Sequence, residues 1–238
     1  MTRHAAVVLS AAALLLPTVA FAESRTFDLA PFDEIEVSSG IKANVTVGGA
    51  QSVRVDYNTE DDVRNLEVVV RNGKLLIDLE RGFLESLTDW FSDGPEITAH
   101  VTVPALTEIG ANSGATVAVD NMSGQFLTVE ASSGASLIVE GLIGDEVEIG
   151  GSSGASIDVA GTCGRLSVEA SSGAQLDLDR LQCRDVTVDA SSGAGASVFA
   201  SASIDADASS GAGIEVSGKP DKIDIDTSSG GGIDFDNE

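Results

Sequence analysis

Aromatic residues are scarce, at 4% of the 238 residues, with a single Trp and a single Tyr. A core filled by large rings is therefore excluded, and any core must be thin and aliphatic. Basic residues are scarce too: 13 Lys and Arg stand against 38 Asp and Glu, for a formal net charge of −25. That sign excludes nucleic-acid binding, which needs a basic footprint, and disfavours anionic membrane surfaces. Cations or basic partners fit it, and so does a charged surface that keeps the chain soluble. Histidine is limited to His4 and His100. No Ser/His/Asp arrangement, zinc spacing or nucleophile elbow can be written around His100, which alternates along the strand-like "EITAHVTVP". Carboxylates are everywhere, but no pair stands apart as a glycosidase pair would. No catalytic residue is assigned. Beyond residue 22 no apolar run approaches the 18 residues of a membrane span.

The first 22 residues do read as one unit. Met1–His4 is a short basic start, "AAVVLSAAALLLPTVA" an apolar core, and "AFA" a small-residue cleavage site before Glu23. The expectation is a secretory signal peptide over 1–22, hence export to the periplasm, the cell surface or the medium. No Cys follows the site for lipid attachment. Loss of Arg3 would leave the mature chain one unit more negative.

What the chain has in abundance is repetition. "NSGA" at 112–115 is followed by "SSGA" at 132, 152, 171, 191 and 209, and by "SSGG" at 228. Their glycines are spaced by 20, 20, 19, 20, 18 and 19 residues, which a flexible Gly/Ser linker would not maintain. Between the glycines, apolar and polar residues alternate, as in Ala135-Leu137-Val139 and Leu166-Val168-Ala170. Period two means strands with one buried face, and nothing there has helical periodicity. Each repeat then holds two short strands and two turns, the Ser-Ser-Gly turn and a looser one such as "AGTCGR" (160–165). A lone strand pair cannot bury its apolar face, but stacked repeats can. The expected fold is all-β: a right-handed parallel β-helix, or β-solenoid, of about seven coils of ~20 residues. Ala on both sides of Ser-Ser-Gly lets the chain turn between two close sheets, Gly supplies a conformation that a Cβ would penalise, and stacked serines would form ladders.

Residues 23–110 are read as a β-rich N-terminal cap continuous with the solenoid of 111–238. Asn72-Gly73 marks a tight hairpin, and Ser38-Ser39-Gly40 previews the corner motif. At the far end, Asp234, Asp236 and Glu238 are expected to blunt the last strand edge.

The stretches "FDEIEVSSGIKANVTVG", "LLIDL", "VTVPALTEIGANSGATV", the recurrent "SSGAS" and "IEVSGKPDKIDIDTSSGGGI" resemble the bacterial family described as putative auto-transporter adhesin, head GIN domain, over roughly residues 30–235. The resemblance implies one domain over 23–238, a parallel β-helix-like solenoid and an adhesive, non-enzymatic role. It transfers no catalytic residue. No segment after residue 230 is expected to form a translocating barrel.

Three further groups of residues invite a function. Cys163 and Cys183 sit in the looser turn of consecutive repeats, and adjacent coils bring equivalent Cα atoms to ~5 Å, within disulfide reach. A staple between coils is expected in an oxidising compartment, with free thiols or a metal site as the alternatives. Glu169, Asp189, Asp207 and Asp226 share one outward phase, a possible row of Ca²⁺ ligands; a solvated acidic face is the preferred reading, since the Gly-Gly-x-Gly-x-Asp calcium repeat is missing. No other cofactor is expected. Finally, "RGFLESLTDWFSDGP" (81–95) puts Phe83, Leu87, Trp90 and Phe91 at helical spacing, either as a lid on the first coil or as a docking site for a partner. That partner is left open between an envelope protein and a glycan. Adhesion, envelope maintenance without a specific ligand, and polysaccharide chemistry remain the three functional classes, in that order.

Overall fold

The computed structural model describes residues 23–79 and 96–236. Among the described residues it is all-β, 68% strand and without helix, and it winds into a β-solenoid of about six turns. The sequence counts seven corners, but the last, at Ser228–Gly230, is followed by a strand of four residues and completes no further turn. Among the described residues no helix is long and apolar enough to cross a membrane.

The N-terminal region supplies β1 (Glu23–Phe27), β2 (Glu34–Val37), β3 (Lys42–Val47), β4 (Ser52–Tyr57), β5 (Leu66–Arg71), β6 (Lys74–Leu79) and β7 (Ile97–Val103). Then come β8 (Glu108–Ala111), β9 (Thr116–Asp120), β10 (Ser123–Ala131) and four long strands, β11 (Ser136–Gly151), β12 (Ser156–Ala170), β13 (Gln175–Ala190) and β14 (Gly195–Ala208). The chain finishes with β15 (Gly213–Gly218), β16 (Lys222–Thr227) and β17 (Gly232–Phe235).

The coils are flat, with two stacked faces. On the front face, β3, β9 and the first halves of β11 to β14 run parallel into β15 and β17. On the back face, β2, β8, β10 and the second halves of the long strands run parallel into β16. Inward residues alternate with outward ones throughout, and one aliphatic core runs from Phe32 to Val216. No buried side chain among the described residues is polar or charged.

The stacking order at the N-terminal end does not follow the sequence. β2 and β3 lie between β8 and β9 on one side and β6 and β7 on the other. After β3 the chain does not go straight to β8: it first adds one more parallel layer, β6 on β2 and β7 on β3. Antiparallel strands cover that layer: β4 covers the edge of β7, the N-terminal β1 covers β4, and β5 covers β6. These finish the stack at that end, with β2 and β3 paired in parallel to β8 and β9.

Each Ser-Ser-Gly is a two-residue turn with both central residues left-handed. At Ser132–Ala135, Ser133 has φ 54° and Gly134 φ 72°, and the Ala135 N–H donates to Ser132 O at 3.1 Å. This is the geometry of a type I′ turn. The serine therefore carries as much of the turn as the glycine, beyond the sequence reading. The corners are tied by backbone: the Gly114 N–H donates to Ser133 O, Gly134 to Ser153 and Gly154 to Ser172, each at 3.1 Å. In place of an expected continuous hydroxyl ladder, Ser132 Oγ donates to Asn112 Oδ1 of the neighbouring coil and Ser39 Oγ to Asp78 Oδ1 of the neighbouring layer at 2.7 Å.

The opposite edge is different. β11 to β14 pass it as continuous, bent strands rather than through turns. All the register shifts between long strands fall there, at Glu140/Leu142, Asp158/Gly161, Leu178/Gln182 and Cys183/Asp185. The Cys163–Cys183 disulfide lies on this edge, in register and core-facing, with Cα atoms 4.5 Å apart.

Candidate functional site

The outward phase of two parallel sheets produces columns of side chains in register. On the back face, Glu130, Gly150, Glu169, Asp189, Asp207 and Asp226 form one unbroken column. The column predicted from the sequence exists. It does not converge: among the described residues no three His, Cys, Asp or Glu side chains form a group that could hold a metal ion. Parallel columns keep carboxylates side by side and aimed at solvent, whereas an ion needs ligands from several directions.

Near the cap, positive charge enters the back face. Lys74 Nζ donates to Glu108 Oε1 at 2.6 Å and lies 3.5 Å from Glu34 Oε2. The Glu108 contact raises the Lys74 pKa above 10.5. Beside it, Asn112 Nδ2 donates to Glu36 Oε1 at 3.0 Å. Where the column carries Gly110 and Gly150, the surface is notched, and a shallow groove of about 320 Å³ runs past Glu36, Glu130, Glu169 and Ser152.

The front face carries the larger groove, about 540 Å³. Its floor is a column that begins with polar side chains, Ser156 and Gln175, and continues as Gly195 and Gly213, with Gly232 next in register beyond the groove. A Cβ at Gly213 would meet nothing within 4 Å, so the glycine leaves open space. The wall is the neighbouring column, Asp177, Ser197, Glu215 and Asp234, which continues beyond the groove to Asp158. Arg180 braces the upper part of this wall, donating to Asp158 Oδ1 at 2.7 Å and to Glu140 Oε1 at 3.3 Å. Burial and the adjacent Asp177 push the Asp179 carboxyl up from 3.8. The arrangement is a polar, predominantly acidic channel with a backbone floor, suited to an extended ligand laid along the solenoid.

His100 is a strand residue of β7, with Nε2 3.2 Å from Asp56 Oδ2, and Arg54 Nη2 donates to the same oxygen at 3.0 Å. Phe83, Leu87, Trp90 and Phe91 lie outside the described residues, as does the 1–22 segment. The sequence reading missed two exposed apolar side chains, Phe126 at 61% and Ile143 at 63% exposure. For Phe126 the signal was available: it precedes the inward Leu127 and so takes the outward phase. The glycine floor was legible too, as the column where Ser and Gln give way to Gly.

Solved structures share this architecture across nearly their whole lengths, and three show the range. A "putative adhesin" from Bacteroides fragilis NCTC 9343 matches with a TM-score of 0.80 at 15% identity, covering 90% of this chain and 95% of that one. A "putative lipid binding protein" from Parabacteroides distasonis ATCC 8503 has a TM-score of 0.67 at 16% identity, covering 92% and 98%. A "putative adhesin" from Parabacteroides merdae ATCC 43184 has 0.65 at 13%, also covering 92% and 98%. At such identities the likeness establishes the fold alone. No curated protein matches the sequence. Residues 31–220, which take in the back groove, most of the front groove and the corner ladder nearly to its end, match the family described as "Putative auto-transporter adhesin, head GIN domain", and the chain belongs to that family.

Proposed function

We propose that the protein is an exported, non-enzymatic binding module of the bacterial envelope, adhesin-like in holding an envelope protein or a glycan along its flat faces. The observation that carries this reading is the front groove, a glycine-floored channel of about 540 Å³ that crosses several coils and opens to solvent along its length. A long, shallow, polar track suits an extended chain better than a small molecule, which prefers a closed and largely apolar pocket. The acidic wall selects for a cationic or neutral polar ligand. The family description, adhesin, supports the same class of role.

The test is binding of the mature protein to arrays of envelope glycans and envelope proteins, repeated with Gly213→Arg. That side chain fills the groove without crowding the backbone and reverses its charge. Loss of binding at an unchanged melting temperature is the expected result. Capture that survives Gly213→Arg places the ligand elsewhere and sinks this reading. The near-uniformity of the coils favours a second reading, a structural envelope protein without a specific ligand, to which an array empty for both proteins would point. Bond cleavage in any arrayed polysaccharide would instead support an enzyme.

A further inference from the structure

The two ends of the solenoid are finished differently. At the N-terminal end, antiparallel strands cover the last parallel layer. At the other, β16 pairs with β14 on one edge and has no partner strand on its other edge among the described residues. Its core-phase side chains follow suit. Ile204 and Ala206 are 2% and 1% exposed, whereas Ile223 and Ile225, their neighbours in the next layer, are 55% and 49% exposed. An open strand edge and an uncovered aliphatic row coincide there, which is the usual template for pairing with another strand.

We infer that this edge pairs with the β16 of a second copy of the chain, antiparallel about a two-fold axis at Asp224, joining two solenoids end to end. The choice of a second copy rests on self-complementarity. In that register Ile223 lies opposite Ile225 of the copy and Ile225 opposite its Ile223, so both aliphatic residues are covered. Lys222 lies opposite Asp226 of the copy, and the reverse, so two opposite-charge cross-strand pairs form. The same two-fold brings β17 over its own copy, with Ile233 and Phe235, already packed against the core, in the joined layer. A closed symmetric pair also consumes both edges, leaving none for further growth. The edge is short, six residues or about 20 Å, so the dimer is weak and concentration-dependent. Each chain carries a net charge of −25 and Asp224 faces itself across the axis, a repulsion that outweighs the two Lys222–Asp226 attractions screened with it, so added salt tightens the pair.

Sedimentation velocity over a concentration series in low and high salt reads the association. A dimer that strengthens with salt, strengthens further in Asp224→Asn and is abolished in Ile225→Lys is expected. Ile225 is half-exposed, so the melting temperature of Ile225→Lys reports whether the fold survives. Register is read by cross-linking. Asp224→Cys, on the axis, should form an intermolecular disulfide under oxidation, and Asp207→Cys, one coil inward, should not. A monomer at every concentration and salt, a dimer indifferent to Ile225→Lys, or equal cross-linking at both positions would overturn the inference. None of these outcomes bears on the groove, whose Gly213→Arg test is read on a different face.

Discussion

At the scale of single residues, the corners and the opposite edge use glycine for different reasons. Gly134 needs its φ of +72°, but a Cβ there would meet nothing within 4 Å. Gly161 has φ +153°, and a Cβ would come within 2.0 Å of Leu142 O in the neighbouring coil. Gly134→Ala should therefore cost about 1–2 kcal/mol, the left-handed penalty of an L-residue. Gly161→Ala should cost about 3 kcal/mol or more, because backbone must move as well. Urea denaturation of the two variants gives the comparison, and equal costs would refute it. A third residue yields a pH effect. The Asp179 carboxyl is raised in the fold, through burial and then Asp177, so the folded state holds the proton more tightly than the unfolded. That interaction penalises the fold at neutral pH, and the penalty lifts as pH falls through the raised value. Asp179→Asn should raise the neutral-pH melting temperature modestly, and the advantage should vanish below 3.8, where the wild-type carboxyl is protonated in both states. Lys74 works in the opposite sense: raised above 10.5 by Glu108, its contribution is complete below 10.5 and lost as pH climbs through the folded value.

At the scale of elements, the Cys163–Cys183 bond joins β12 to β13 across 20 residues. On the chain-entropy account, closing a loop of that length contributes about 3 kcal/mol, and the double variant Cys163→Ala/Cys183→Ala should lose that much. Denaturant midpoints with and without reductant would show it, and reductant should leave the double variant unaffected. The pairing was legible in the sequence because offsets that differ by one residue within consecutive repeats become lateral neighbours when coils stack, the extra residue being absorbed in the register shift between Asp158 and Gly161. The strands were legible for a similar reason, since alternation encodes which side of a strand is buried. Stacking order was not. Periodicity gives the phase of β2 and β3 but is silent on what lies above them, and the excursion from Gly48 to Thr107 interrupts the repeat where the order departs from the sequence. The left-handed serines were hidden as well: Ser is no standard marker of positive φ, and only the backbone shows that Ser133 shares the turn with Gly134.

For the whole molecule, charge sets the conditions. A net charge of −25 rests largely on columns whose members lie one strand spacing apart, about 5 Å, well inside the ~10 Å screening length at 0.1 M salt. Melting temperature should rise with NaCl and level off once that spacing is screened. Because no three carboxylates converge among the described residues, CaCl₂ at matched ionic strength should do no more than NaCl. Calcium-specific stabilisation seen by calorimetry would restore a cation role for Glu169, Asp189, Asp207 and Asp226. The candidate groove was half legible: its acidic wall is a column that the spacing predicts, while its floor depends on which glycines fall outside the corners.

The register shifts confined to one edge have a consequence for how such a chain changes length. From β13 to β14 the partner offset falls from 20 residues at Leu178↔Val198 to 18 at Asp185↔Ser203, all of it absorbed opposite the Ser-Ser-Gly turns. Indels are therefore tolerated on one side of the molecule and penalised on the other. Passenger peptides inserted near Ala200–Ser203 in this coil, and at the same edge of others, would project in a single file graduated by the ~5 Å rise of each coil, which makes the fold a ready-made ruler for displayed sequences.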